Sequence, residues 1–371
     1  MIETCLGMTI GFLLLLFCAI AARAEAPLQA RAYPEGDRLF HADARWLGGD
    51  AAISVPLSAE RTLWLFGDSF VDEVAPHSRS DSAFVRNTIA IETGNDPQTA
   101  MMRFVWRHDA QGRPSAFVAG GRRFWYWPRG GIRLNNGPLY LFLDKVKPAS
   151  NELRFAVSGY AIARISNPDD DPARWNVRVL EQPALPFDAL PGLAPILDGA
   201  YVTTLATRER GTHAGALVRY RLDGRSNKLE TNGEWWLGVA RGWVHVNRIG
   251  PSGPTFVIDD AGAESSIHWD ARLRAYVHVA SYGFGATTIG VRTAAKLTGP
   301  WSAARTVYRP PESDRPRPFV YAGKAHPELR GPGLLVTYVA NSFDPNALLT
   351  PEGERDLYWP HFVVVPNEKL Q

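Results

Sequence analysis

The stretch ARWLGGDAAISVPLSAERTLWLFGDSF, Ala44 to Phe70, carries Gly-Asp twice, at Gly49-Asp50 and Gly67-Asp68, around an apolar hairpin. A carboxyl group fixed at one end of a sheet can give or take a proton. Each aspartate is therefore either a turn residue or an acid placed for general acid–base chemistry. Asp50 precedes the first strand of the hairpin, and Glu264 holds the same place before the strand of ESSIHWD. Asp68 follows the second strand and reads as a turn cap bonded to its own backbone. Other residues around these acids have types suited to ligand contact. Arg86 and Asn87 begin the strand of FVRNTIAI, and Trp125, Tyr126 and Trp127 alternate along another, two facing one way and one the other. His268 lies an even number of residues from Glu264, and KAHPEL supplies Lys324, His326 and Glu328. Each has a structural alternative: acids that anchor turns, an Arg–Asp bridge, tryptophans in the core, histidines satisfied between strands.

The elements that must position these side chains read as strands. TLWLFG, PLYLFL, AYVTTLAT, AYVHVASY, LLVTYVAN and HFVVV are short, rich in β-branched and aromatic residues, and separated by Gly, Pro, Asn and Asp. No segment after the N-terminal apolar run keeps a helical period over three turns. Two degenerate plans recur. YAIARISNPDDDPARWNVRVLEQP parallels TTIGVRTAAKLTGPWSAARTVYRP. DAAISVPLSAERTLWLFGD parallels GGIRLNNGPLYLFLD and ESSIHWDARLRAYVHVASY. The expected class is all-β, a five-bladed β-propeller with four-stranded antiparallel blades around a central channel, at roughly 65–70 residues per blade. A β-sandwich pair is the alternative. In a propeller the innermost strands begin at one face, so Asp50 and Glu264 would converge on the axis.

The totals narrow the function. Forty Lys and Arg against 38 Asp and Glu leave a formal charge of +2 with no basic run, which argues against nucleic acid. Met1–Ala24 reads as a signal peptide, with the apolar run IGFLLLLFCAIA followed by ARA and AEA, although Glu3 stands where a base is usual. An uncleaved membrane anchor is the alternative. Residues 25–36 read as a linker and 37–371 as one domain. Both cysteines, Cys5 and Cys18, fall in the leader, so the remaining chain offers no disulfide and no thiolate. No zinc motif is present, and NPDDDP lacks calcium-loop spacing, so no metal or cofactor is expected beyond an axial calcium that no motif demands. Serine-hydrolase, kinase and dehydrogenase signatures are absent.

WLGGDAAISVPLSAERTLWLFGDSFV, VRNTIAI, FWYWPRGGI, ESSIHWD and YAGKAHPEL followed by LLVTYVANS resemble the bacterial family called domain of unknown function 4185. That group is similar to the five-bladed propellers of glycoside hydrolase families 43 and 117. The resemblance implies three acids around the axis, with Asp50 as general base and Glu264 as proton donor. It also implies an acid after the Trp-Pro of the second blade, where this chain has Trp127-Pro128-Arg129-Gly130-Gly131. Asp198, in LDGAY, is the expected substitute. Arg86, Asn87, Trp127, His268 and His326 are then the expected sugar contacts. The expected protein is an exported, periplasmic or secreted, carbohydrate-active glycoside hydrolase. The alternatives are a non-catalytic glycan-binding propeller and a periplasmic protein-interaction scaffold.

Overall fold

The computed structural model describes residues 30–370 except 75–77, 152 and 227. The leader read as a signal peptide lies outside the described residues. Among the described residues no helix is long and apolar enough to cross a membrane.

The chain is all-β. The first sheet pairs Ile53–Ser58, Arg61–Phe66, Thr88–Thr93 and Met101–Val105 in that order. The second pairs Trp125–Arg133, Leu139–Pro148, Phe155–Ile165 and Val177–Glu181. The third starts with Leu190–Asp198, Tyr201–Thr207 and Gly215–Asp223, and Glu234–Trp236 and Trp243–His245 extend it. The fourth comprises Ser265–Asp270, Ala275–Phe284, Ala286–Ala294 and Arg305–Tyr308. The fifth runs Pro318–Ala325, Leu334–Ser342, Pro360–Val365 and finally Arg31–Ala32. Residues 31–36, expected as linker, are part of the fold. Arg31 and Ala32 pair with Val364 and Val363, and Tyr33 is buried against the first sheet's apolar cluster.

Within each sheet the pairing is antiparallel, so the start of the first strand and the end of the second lie side by side. The first strand of each sheet packs against the first strand of the next, from the first sheet through to the fifth. The fifth is tied back to the first where Ser54 Oγ meets His326 Nδ1 at 2.6 Å. Five apolar clusters fill the spaces between neighbouring sheets. Sheets buried on both faces need apolar residues at successive positions rather than alternation. LLVTYVAN shows this: Val336, Tyr338 and Ala340 pack toward the fourth sheet, and Leu335 packs toward the first.

Candidate active site

The two Gly-Asp pairs meet each other. Asp50 N donates to Asp68 O at 3.3 Å, and Gly67 N donates to Asp50 O at 3.2 Å. A Cβ at Gly67 would stand 2.3 Å from Asp50 Oδ1, so the Asp50 carboxyl occupies the space that glycine leaves. Ala51 and Ala52 follow with φ of 68° and 51°, in the left-handed region that side chains rarely adopt. That tight turn sets Asp50 at the start of the inner strand. Its Oδ2 accepts from the Tyr321 hydroxyl at 2.8 Å and the Tyr358 hydroxyl at 3.3 Å. Burial and the negative neighbours Asp68 and Glu264 hold the Asp50 carboxyl well above its ordinary range, while the two tyrosine hydroxyls pull it down.

Asp68 is not merely a turn cap, as its position in sequence suggested. Its Oδ2 takes Arg86 Nη1 at 3.1 Å, and its Oδ1 takes Trp127 Nε1 at 2.8 Å. Burial pushes it up to about 6 despite those donors. Arg86, 42 % exposed along its side chain, lies over the Trp125 ring at 4.3 Å. Trp125 and Trp127 share one face, edge to face at 5.9 Å, while Tyr126 turns into the core. The alternation expected of this strand is present.

In the second sheet Arg129 stands where an acid was expected. The acid arrives from the neighbouring strand. Asp144 is paired in register with Trp127, and both of its oxygens accept from Arg129 Nη1, at 3.1 and 2.8 Å. Arg129 Nη2 also donates to Thr207 Oγ1, and Glu209 Oε1 lies 3.7 Å from Nη1. Burial raises Asp144, Arg129 opposes it, and Glu264 adds to it. Glu209, 28 % exposed, is pushed up to about 7 by burial, against Arg129 and with Asp144 and Asp188. Glu264 completes the group. Its Oε2 accepts from Lys324 Nζ at 2.9 Å, and the same ammonium donates to Ala51 O and to Ala322 O.

Five carboxyl groups from four sheets thus gather at the end where the inner strands begin: Asp50, Asp68, Asp144, Glu209 and Glu264. Three cations, Arg86, Arg129 and Lys324, stand among them. Asp50 and Glu264 come together as the sequence suggested, with Arg86 and Trp127 beside them. Asp68, Asp144 and Glu209 were missed. Their signal was present, because an acid recurs on or just after the second strand of three sheets, in FGD, FLD and LATRE.

Other expected residues belong elsewhere. Asp198 is exposed at the hairpin between Leu190–Asp198 and Tyr201–Thr207. It lies six residues along the strand from Gly192, whose Cβ position approaches Arg129, a span of roughly 15–20 Å. It therefore does not supply the third carboxylate. Asn87 is buried and fully used. Its Nδ2 donates to Val118 O and Tyr126 O, and its Oδ1 accepts from Val118 N. His326 is wholly buried between Ser54 Oγ and Thr337 Oγ1, 2.6 and 2.7 Å from its ring nitrogens, with the Trp64 ring tilted against it at 4.8 Å. Neither can reach a ligand. His268 sits four residues below Glu264 on the inner strand, and its Nδ1 has no hydrogen-bond partner among the described residues. Burial lowers its imidazole to about 4, so it is neutral near pH 7.

Among the described residues no three His, Cys, Asp or Glu side chains gather in a metal-holding group. Two surface cavities, of about 490 and 240 Å³, are lined by Tyr33, Asp96 and Arg330 in one case and by Tyr160, Tyr220 and Trp235 in the other. Neither touches the carboxylates, which reach solvent directly through Arg86, Glu209 and Glu264.

The all-β fold is shared with solved structures. A Bacteroides ovatus protein provisionally assigned as a hydrolase superposes with a TM-score of 0.72 at 14 % identity, covering 92 % of each chain. A glycoside hydrolase family 43 protein from Bacillus licheniformis gives 0.43 at 9 % identity, over 85 % of this chain and 51 % of its own. An endo-arabinase from Bacteroides thetaiotaomicron gives 0.43 at 15 %, over 86 % and 94 %. No curated protein matches the sequence. The matching family is numbered 5005, not the 4185 that the motifs resemble. The family model spans residues 35–367, and the chain belongs to the family called domain of unknown function 5005.

Proposed function

We propose that the chain is an exported glycoside hydrolase, its five larger sheets closing as a five-bladed propeller with the reaction at the carboxylate end of the channel. The observation that carries this reading is the gathering of five carboxyl groups, at least two of them raised toward neutrality, beside an accessible tryptophan and arginine. Glycosidic hydrolysis needs one carboxyl that holds its proton and one that does not. The local chemistry divides these roles. Glu264 Oε2 is already engaged by the Lys324 ammonium at 2.9 Å, a contact that fixes the side chain in place. Glu209, raised to about 7 and open to solvent, is the better donor. Asp50, with its raised carboxyl, becomes a strong base once ionised, and the hydroxyls of Tyr321 and Tyr358 stabilise that anion. This keeps Asp50 as base, moves the donor role from Glu264 to Glu209, and gives Glu264–Lys324 the task of positioning.

The test is a panel of 4-nitrophenyl glycosides and the matching unactivated disaccharides, assayed with Asp50→Asn, Glu209→Gln and Glu264→Gln. Asp50→Asn should lose both activities. Glu209→Gln should lose the disaccharide but keep much of the aryl glycoside, whose leaving group needs no proton. Turnover of no substrate by the wild type, or full activity in Asp50→Asn, would overturn the proposal. A second reading, a non-catalytic glycan binder, draws on the ion pairs that occupy Asp144 and Glu264. It predicts affinity without turnover. A pure interaction scaffold has no need of gathered acids.

A further inference from the structure

Tyr321, the residue that donates to Asp50, begins a run of aromatic rings leading out of the carboxylate cluster. Its ring stacks on Phe319 at 4.6 Å, with 29° between planes. Phe319 stacks on Phe343 at 4.7 Å and 21°, and Phe343 meets Phe284 at 5.3 Å. Phe284 is 68 % exposed. The rings come from three places: the start of the fifth sheet's inner strand, the segment just after its second strand, and the tip of the fourth sheet's hairpin at Phe284–Ala286. The backbone fixes them together. Val320 N donates to Gly285 O at 2.8 Å, and Phe343 N donates to Arg317 O at 3.0 Å.

A phenylalanine at a hairpin tip contributes little to a core, and contiguous apolar surface facing water costs about 25 cal/mol per Å². Tyr321, Phe319 and Phe343 stack on one another and leave mainly their edges half-exposed, whereas Phe284, tilted 45° from Phe343, carries the most open ring surface. The C–H face of a sugar is apolar and packs on such rings, while its hydroxyls remain in water. We propose that the Phe319–Phe343–Phe284 strip binds the sugar units that lie beyond the one held at the carboxylates, so that the ligand is an oligo- or polysaccharide chain rather than a free monosaccharide. The occupant is assigned as carbohydrate because the strip is continuous with the acid cluster through the Tyr321 hydroxyl. The proposal rests on the carbohydrate reading above, but it concerns binding and not bond cleavage.

The experiment is affinity electrophoresis through native gels cast with arabinan, xylan, galactan or carboxymethyl-cellulose. Wild type, Phe284→Ala and Phe343→Ala are compared, each in the Asp50→Asn background so that the gel polymer is not consumed. At least one polymer should retard the parent. Each phenylalanine substitution should weaken that retardation about fivefold or more, the factor that ~1 kcal/mol of ring contact carries. Phe284→Ala, at an exposed tip, should melt like the parent, which separates lost binding from lost folding. Retardation that depends on the phenylalanines in a protein that hydrolyses nothing would sustain the strip and defeat the hydrolase reading. Retardation unchanged in both variants, or no retardation of the parent by any polymer, would overturn the strip. So would a shift of the parent from dimer to monomer on Phe284→Ala, since the strip would then be an interface between copies.

Discussion

Two groups of buried polar side chains sit within a few residues of each other and behave oppositely. In the Ser54–His326–Thr337 strut, and around Asn87, the buried nitrogens and the amide oxygen meet partners of matching chemistry. At the carboxylate end, like charges are crowded together, a glycine is required to seat Asp50, and two successive alanines are held at positive φ. The first group lowers the energy of the fold. The second spends part of that stability on groups whose protonation is poised, the pattern expected of a site that does chemistry. Buried polarity by itself marks neither; what separates them is whether the partners neutralise or repel.

The largest expected effect tests the poised side. Asp50→Asn should lower kcat on the best glycoside by about a thousandfold or more, the scale of losing an essential base, without lowering the melting temperature, because it removes a source of repulsion. Steady-state kinetics and thermal melting on one preparation check both halves. Next in size is the neutralised side. Asn87→Ala leaves Val118 N, Val118 O and Tyr126 O without their bonds and should cost about 2–4 kcal/mol in urea unfolding.

A smaller, pH-dependent effect distinguishes the two groups more sharply. The folded Asp68 carboxyl titrates at about 6, above its unfolded range near 4. Between those values the folded chain holds a proton that the unfolded chain has lost. The contribution of Asp68 to stability is therefore present at low pH and is lost as pH rises from about 4 to about 6. Asp68→Asn should gain on the wild type by on the order of 2–3 kcal/mol between pH 4 and pH 7, read from paired unfolding curves. Smallest of all, Asp198→Asn should change neither turnover nor stability by more than about 0.5 kcal/mol, as befits an exposed hairpin residue.

The all-β class and the inner-strand acids Asp50 and Glu264 were legible in the sequence, because both depend on local pattern: apolar runs bounded by turn residues, and an acid at a repeated place before a strand. Asp144 and Glu209 were not recognised, because their relation to the site runs across strands. Asp144 faces Trp127 only through a register that shifts at a bulge between Pro128 and Gly130. Arg129, the apparent departure from the expected motif, is what holds both acids. Asn87 and His326 were misread because residue type does not reveal whether a partner waits. Ser54 stands 272 positions from His326. Trp127 was placed correctly since alternation along its strand, with Tyr126 turned to the core, is a local property.

The central claim is that the gathered carboxyls are electrostatically coupled, with Asp68 and Glu209 poised near neutrality. Carboxyl-carbon NMR titration of selectively labelled Asp and Glu, in the wild type and in Asp68→Asn, tests it most directly. Midpoints near 6 for Asp68 and near 7 for Glu209 are predicted in the wild type, and the raised Asp50 midpoint should fall when Asp68 loses its charge. Glu92, pushed up to about 7 by burial while accepting from Trp64 Nε1, should stay in place in both proteins. Site carboxyls that all titrate below pH 5, or an Asp50 midpoint indifferent to Asp68, would contradict the account.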